Sequence, residues 1–170
     1  MPVVVIMGPS GCGKSTIGKA LSKTMNAPFY DGDDYHPKAN IDKMCAGIAL
    51  NDADRAGWLT QLRQNIQTWL AENALTFLAC SALKHQYQAA LGVDQVQVIT
   101  LFLKGDKQTL SQRLQARENH FMPESLLDSQ LSILEPPKGG VLVDIDASVE
   151  QITEQATAKL LKHIQTLNQS

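Results

Sequence analysis

A glycine-rich segment near the amino terminus carries residues that can hold phosphate. It reads GPSGCGKST over residues 8–16 and follows a short apolar run. Gly8, Gly13, Lys14 and Ser15 match the spacing G-x-x-x-x-G-K-[ST], in which backbone N–H groups and a helix N-terminus surround phosphate oxygens. In this pattern the lysine reaches the β- and γ-phosphates and the serine hydroxyl ligates Mg²⁺. The segment, called the P-loop below, therefore predicts a nucleoside triphosphate site.

The whole loop contributes to the predicted nucleotide-binding set. That set comprises Gly8, Ser10, Gly11, Cys12, Gly13, Lys14, Ser15 and Thr16. We interpret Cys12 as a small residue that fits the loop, the alternative being a thiolate favoured by the nearby helix N-terminus. A glycine-rich turn that matches the pattern by chance is the alternative for the whole segment. Its position between a predicted strand and a predicted helix argues against that reading.

An acidic bend follows the second predicted strand, in the segment FYDGDDYHPKANIDKM. Ligands of open α/β sheets bind at the carboxyl ends of the strands, which is where this bend lies. Asp31 and Asp33 are two positions apart, so both carboxylates project from one face of an extended segment. We predict that Asp31 joins Ser15 in holding a metal ion and that Asp33 orients or deprotonates a hydroxyl group. Solvated loop acids are the alternative, and Asp34 fits that description best.

Candidates for binding a second substrate come next along the chain. The predicted acceptor-binding set is Asp33, His36, Asn40, Lys43, Arg55 and Lys84. Arg55 falls in the first turn of a long predicted helix, where the helix dipole disfavours a cation unless an anion lies nearby. That anion could be the substrate or, as the alternative, Asp52 three residues earlier. Lys84 opens a helix after the third strand, and a solvated position is its alternative.

Two arginines follow in the segment LSQRLQARENHF. Arg113 and Arg117 are four positions apart and so share one face of a predicted helix. Phosphoryl transfer spreads negative charge over the equatorial oxygens, and an arginine on a closing lid can stabilise that charge. One arginine could stack on adenine while the other reaches the phosphates. The residues alone do not decide between them, and a charged helix face is the alternative.

Short β-branched runs alternate with longer segments of helical period, which predicts an α/β fold around a parallel sheet. The predicted strands are 3–7, 28–31, 76–80, 96–103 and 141–145, and the predicted helices are 14–25, 38–46, 53–72, 84–91, 107–117, 123–134 and 149–167. Asp52 and Ser148 are the predicted N-caps of two helices. We expect a single domain over 1–170, with an acceptor-binding segment over about 31–72 and a mobile lid over about 118–140.

Composition narrows the class of partner. Fifteen basic against seventeen acidic residues give a formal charge of −2, which offers no field for nucleic acid or an anionic membrane. The three cysteines lack paired spacing, and the apolar run at 3–7 is too short for a signal-peptide core or a membrane span. We therefore expect a cytoplasmic protein with reduced thiols and a small-molecule substrate. The sequence has no N-K-x-D segment of the kind that guanine-specific switches use.

In combination these motifs resemble those of the gluconate kinases, small P-loop enzymes related to shikimate and nucleoside monophosphate kinases. The resemblance covers nearly the whole chain. Its most specific part is DGDDYHPKANIDKMCAGIALNDADRAGWL at 31–59, and CSALK, LKGD, RLQAR, SQLSILEPP and VDID follow in the same order. Pro9 and Cys12 depart from the usual loop residues, but neither change removes a phosphate ligand.

The resemblance implies a nucleoside-monophosphate-kinase-like fold of three layers. Its parallel sheet would have five strands in the order 2-3-1-4-5, with helices on both faces and a mobile lid. It also implies transfer of the γ-phosphoryl group from ATP, with Mg²⁺, to D-gluconate, and commonly a homodimer. The alternatives are a kinase for another small acceptor, such as a shikimate-like acid or a nucleoside monophosphate, and a non-catalytic nucleotide-binding switch.

The resemblance also assigns roles to single residues. Lys14, Asp33 and Arg117 are implied as catalytic, with Asp33 as the acceptor-side acid or base and Arg117 as the lid arginine. Arg113 then belongs to the nucleotide site. The alignment of the lid is loose, so the role of His120 stays open.

Overall fold

Five parallel strands form the central sheet of the computed structural model, which describes residues 1–116 and 124–169. The strands are β1 (Val3–Met7), β2 (Phe29–Asp31), β3 (Thr76–Ala79), β4 (Val98–Lys104) and β5 (Val141–Asp144). Their order is β2-β3-β1-β4-β5, which confirms the predicted order. β1 pairs with β3 on one side and β4 on the other, and all five of its residues are buried. This central position explains why β1 is an unbroken apolar run.

Helices cover both faces of the sheet, as predicted. They are α1 (Lys14–Met25), α2 (Lys38–Cys45), α3 (Asp52–Ala71), α4 (His85–Leu91), α5 (Lys107–Gln115), α6 (Glu124–Ile133) and α7 (Val149–Asn168). Val4 and Ile6 of β1 pack with residues of α1, α5 and α7, whereas Val3, Val5 and Met7 pack with α3 and α4. The two-residue period of the strand thus divides the core into two halves and gives the three-layer architecture. None of the helices in the described ranges is long and apolar enough to cross a membrane.

Local hydrogen bonds move one of the predicted helix boundaries. Asn51, rather than the predicted Asp52, is the N-cap of α3, because its side chain accepts from Asp54 N and the Asp54 carboxylate accepts from Asn51 N. Ser148 caps α7 as predicted. The acidic bend contains a short 3₁₀-helix over Gly32–Tyr35 that Asp31 caps by accepting from Asp33 N.

The bend after β2 lies directly against the end of β3. A Cβ atom on Gly32 would lie 2.6 Å from the carbonyl oxygen of Ala79, so a larger residue would push the bend away from the sheet. From the other side, the buried indole of Trp58 on α3 donates to Gly32 O over 2.7 Å. These contacts fix the backbone that carries Asp31 and Asp33.

Candidate active site

The P-loop has the backbone geometry that its glycines predict. Gly11 and Gly13 have φ angles of 88° and 92°, which residues with a Cβ atom rarely adopt. A Cβ on Gly11 would also lie 2.9 Å from Leu110 O, so the loop packs closely on α5. Gly13 is the N-cap of α1 and has no side chain that could accept from the first N–H groups of this helix. The loop can therefore donate these groups to an anion.

Lys14 and Ser15 begin α1 at the edge of this loop. The Lys14 ammonium group donates to Gly8 O over 2.8 Å and to Pro9 O over 3.2 Å, so it lies across the loop. Ser15 Oγ donates to Asp31 Oδ2 over 2.7 Å. The structure thus brings together Ser15 and Asp31, the two residues predicted to hold a metal ion.

The fit to Mg²⁺ rests on these two side chains. A hydroxyl and a carboxylate are the hard oxygen ligands that Mg²⁺ prefers, and this ion usually completes its shell with water and phosphate. Within the described residues, no group of three or more His, Cys, Asp and Glu side chains could hold a metal ion. With two oxygen ligands from the protein, Ser15 and Asp31 suit a Mg²⁺ ion whose remaining positions are filled by water and phosphate oxygens.

Asp33, whose N–H donates to Asp31 Oδ1, lines a large cleft. Its side chain is 78% exposed, but the surrounding walls of the cleft still remove part of its hydration. This partial burial raises the pKa of Asp33, the negative charge of Asp31 raises it further, and Lys14 opposes both. A carboxylate with a raised pKa in contact with the cleft is suited to accepting a proton from a bound hydroxyl group.

His36 forms the floor of the cleft beside Asp33. Its ring stacks on Trp58 with centroids 4.0 Å apart, and its side chain is only 3% exposed. Burial, with the positive charge of Arg55, lowers the pKa of His36 to about 4, so the ring is neutral near pH 7. The Asn40 amide nitrogen donates to Asp54 O over 2.8 Å and lies 3.2 Å from His36 Nδ1. Nδ1 is therefore the acceptor, and Nε2 carries the proton, 3.7 Å from Asp33 Oδ1.

A cluster of two cations, Arg55 and Lys84, lies at the ring of Tyr87. Arg55 Nη1 donates to Tyr87 Oη over 3.0 Å, and the Tyr87 hydroxyl donates to Asp52. The Lys84 ammonium group lies 3.6 Å from the same Asp52 carboxylate. Both cations lie over the face of the Tyr87 ring: Arg55 Cζ is 5.1 Å and Lys84 Nζ is 5.5 Å from the ring centroid. Asp52 thus pairs with Lys84 and Tyr87, and Tyr87 connects it to Arg55.

Lys14, Asp33, His36, Arg55 and Lys84 line one cavity of about 510 Å³. Its lining includes Ser10, Lys14, Asp33, His36, Asp52, Arg55, Ser81 and Lys84, together with apolar and polar residues of α2, the 46–50 loop and α6. Two residues of the predicted acceptor set lie behind this lining: Asn40 is buried, and Lys43 donates to both carboxylate oxygens of Asp54, at 2.8 and 3.0 Å. Here they position other residues, and direct contact with an acceptor stays a prediction.

The three cysteines differ in access. Cys12 and Cys80 are buried, with exposures of 0% and 2%, and burial raises the pKa of Cys80 to about 12. The Cys12 side chain belongs to the core, which agrees with its interpretation as a residue that fits the loop. Cys45, at the end of α2, is exposed and lines the cavity.

A smaller hollow of about 290 Å³ lies after β4 and β5. It is lined by Lys104, Gly105, Asp106, Thr109, Asp144, Ile145 and Asp146. Arg113 donates to Ile145 O at this hollow, and its Nη1 lies 3.8 Å from the position of a Cβ on Gly13. Arg113 thus lies between the hollow and the P-loop. Arg117 and His120 lie outside the described residues.

Two residues of the site were absent from the sequence-based prediction. Tyr87 lies three positions after Lys84 at the start of α4, and this spacing could have indicated a shared face. Gln130 of α6 accepts from the backbone N–H of Ser10 over 2.8 Å, so this N–H of the predicted nucleotide-binding set already has a partner. Its 120-residue separation from Ser10 leaves no local signal in the sequence.

Comparison with known proteins places these features in a family. The sequence profile of the shikimate kinase family matches residues 10–135. A thermosensitive gluconokinase from Escherichia coli strain K12 is 41% identical over 161 residues, covering 92% of this chain and 86% of that protein. The crystal structure of a gluconokinase from Sinorhizobium meliloti 1021 has a TM-score of 0.89 at 37% identity, covering 98% of this chain and 95% of that chain. Shikimate kinase from Aquifex aeolicus shares the fold, with a TM-score of 0.60 at 18% identity over 95% of this chain and 98% of that chain.

Proposed function

The chain belongs to the gluconokinase family, within the group that the shikimate kinase profile describes, and we propose that it phosphorylates D-gluconate. The reaction transfers the γ-phosphoryl group of ATP in line to the terminal hydroxyl of gluconate and yields 6-phospho-D-gluconate. One observation carries this proposal beyond the family. Lys14 of the P-loop, the carboxylate of Asp33 and the cations Arg55 and Lys84 all line the same cavity.

The donor half of the reaction belongs to the P-loop. Its N–H groups and the N-terminus of α1 bind the triphosphate, and Lys14 exchanges its carbonyl partners for phosphate oxygens. Ser15 and Asp31 would hold Mg²⁺, which shields the charge on the β- and γ-phosphates when it is bound. Arg113 places its guanidinium at the edge of the 290 Å³ hollow, where we assign the adenine. Arg117 is the proposed lid arginine.

The acceptor half uses the opposite side of the cavity, within the proposed acceptor-binding segment 31–72 and at Lys84. Arg55 and Lys84 attract the carboxylate end of gluconate, because a charge-assisted hydrogen bond is roughly twice as strong as a neutral one. Asp33 accepts the proton of the attacking hydroxyl, and its raised pKa makes it a better base than an ordinary aspartate. The neutral His36 donates from Nε2 to an acceptor hydroxyl or to Asp33.

We also propose a homodimer in the cytoplasm. The resemblance to the gluconate kinases supports the dimer, and the three unpaired thiols agree with a reducing compartment. Light scattering of the purified protein measures the first point directly.

A panel of acceptors tests the proposed function. ADP release from Mg·ATP is measured with gluconate, isomers of gluconate, shikimate and nucleoside monophosphates. We expect strong stimulation by gluconate alone or by gluconate and close isomers. Stimulation by shikimate or a nucleoside monophosphate instead would reassign the acceptor, and tight nucleotide binding without any acceptor-dependent turnover would indicate a non-catalytic switch.

A further inference from the structure

Helix α6 contacts the P-loop through one glutamine. Gln130 Oε1 accepts from Ser10 N over 2.8 Å, and Gln130 Nε2 donates to Ser10 Oγ over 3.3 Å. Both residues line the acceptor cavity, and both hydrogen bonds are partly buried. The side-chain amide thus makes two hydrogen bonds to Ser10, in the first half of the P-loop. The P-loop N–H groups from Gly11 onward are not part of these two hydrogen bonds.

The segment that follows α6 is fixed to the loop between β3 and α4. Glu135 N donates to Leu83 O over 2.6 Å, and His85 N donates to Glu135 Oε1 over 3.0 Å. The buried Gln88 amide donates to Glu135 O over 2.8 Å and to Ala82 O over 3.2 Å. Three of these hydrogen bonds join Glu135 to residues 83–88, a segment that includes Lys84 of the cation cluster.

Gln130 and Glu135 are five residues apart on one stretch of chain. One end of that stretch holds the loop assigned to the phosphate donor, and the other end holds the loop that presents Lys84 to the acceptor. The stretch is therefore a strut between the two halves of the reaction. In-line transfer needs reacting atoms about 3–3.5 Å apart, and a 1 Å displacement can cost about 100-fold in rate.

We propose that Gln130 is a positioning residue for phosphoryl transfer, which sets the distance between the P-loop and the acceptor. The inference rests on the proposed kinase function. It assigns to α6 a role in alignment that is separate from binding either substrate. Loss of the two hydrogen bonds from Gln130 to Ser10 should therefore lower kcat with little change in the KM for ATP or gluconate. It should also raise the share of ATP that is hydrolysed without transfer, since water needs no alignment by the strut.

Two variants of the full-length protein test this role. Gln130→Leu removes both hydrogen bonds to Ser10, and we expect kcat to fall about 10- to 100-fold with both KM values within about threefold of wild type. Gln130→Asn keeps the amide but shortens the side chain by one methylene, so it cannot make both hydrogen bonds to Ser10 from the same helix position. Its kcat should therefore also fall, with both KM values within about threefold of wild type. Ser132→Ala, on the same helix outside the cavity, is the control and should retain wild-type rates.

The possible outcomes separate this inference from the proposed function. If wild-type protein shows no acceptor-dependent ADP release, the proposed function fails. If wild type is active and Gln130→Leu keeps its kcat and its ratio of transfer to hydrolysis, the positioning role is overturned. If Gln130→Leu does not fold, Gln130→Asn decides: a lower kcat with a larger share of hydrolysis supports the role, and a wild-type kcat with a wild-type ratio of transfer to hydrolysis overturns it.

Discussion

Ser15 Oγ lies 2.7 Å from Asp31 Oδ2, in a hydrogen bond that joins the first turn of α1 to the last residue of β2. The two residues are sixteen positions apart: Ser15 follows directly after the P-loop lysine, and Asp31 begins the acidic bend. A second hydrogen bond, from Asp33 N to Asp31 Oδ1 over 3.0 Å, fixes the other carboxylate oxygen. Asp31 is thus oriented by both the donor loop and the acceptor bend.

Replacing Asp31 by asparagine should weaken the response to Mg²⁺. Loss of the carboxylate charge next to Ser15 should raise the Mg²⁺ concentration for half-maximal activity by about 10- to 100-fold. Initial rates at saturating ATP and gluconate, measured against free Mg²⁺, check this expectation. Asp34→Asn, a change of the same type at an exposed neighbour, is the control. An unchanged Mg²⁺ dependence in Asp31→Asn would remove Asp31 from the metal site.

Asp33→Asn should lower kcat by about 10²- to 10⁴-fold, the usual contribution of a general base. The wild-type rate should increase with pH as Asp33 loses its proton. Because burial and Asp31 raise the pKa of Asp33, this increase should occur at higher pH than for an ordinary aspartate. A pH profile of kcat/KM checks the position of the acid limb, which Asp33→Asn should abolish. Asp42→Asn, on the exposed side of α2, should keep the wild-type profile.

Arg55→Ala should raise the KM for gluconate far more than the KM for ATP, because Arg55 belongs to the cation cluster proposed to bind the gluconate carboxylate. Tyr87→Phe should produce a smaller change in the same direction, because it keeps the ring under both cations but removes the hydroxyl that orients Arg55. Steady-state kinetics with each substrate varied in turn measure both effects. Arg63→Ala, on the same helix, is the control, and an equal rise of both KM values in Arg55→Ala would contradict the assignment.

His36 should make the fold sensitive to mild acid. Its pKa is lowered from 6.5 to about 4, so between these values the unfolded chain binds a proton that the folded chain excludes. The free energy of unfolding should therefore fall by roughly 3 kcal/mol as the pH drops from 6.5 to 4. At neutral pH this loss should be absent, because His36 is neutral in both the folded and the unfolded chain.

Urea unfolding across this pH range measures the effect in wild type and in His36→Gln. The charged neighbours Asp31, Asp33 and Arg55 are present in both proteins, so the difference between the two curves reports His36. The curves should converge towards pH 4. His163→Gln on α7 controls for the loss of a histidine elsewhere, and parallel curves for wild type and His36→Gln would show that His36 is not the group responsible.

Local sequence signals predicted the framework of this site well. The positions of three features follow from their spacing along the chain: the apolar run before the P-loop, the glycines inside the loop and the acids after β2. Each position depends on the local backbone rather than on contacts with distant residues. The strand order followed from the resemblance to a family. The proximity of Ser15 and Asp31 followed from both, because the carboxyl ends of β1 and β2 lie at one edge of the sheet.

The partners of single side chains could not be predicted in the same way. Lys43 pairs with Asp54 because α2 packs beside the start of α3, and Asp54 is in turn fixed by its capping box with Asn51. Gln130 reaches Ser10 across 120 residues of chain. Such contacts depend on how helices pack in three dimensions, and periodicity within one helix carries no information about them.

The uneven access of the three thiols has a practical consequence. Cys45 combines exposure with a place at the cavity, whereas Cys12 and Cys80 are enclosed by the core. A maleimide dye would therefore attach at a single position of the unmodified protein. Its emission would report occupancy of the cavity during a titration, which gives acceptor affinity without any turnover.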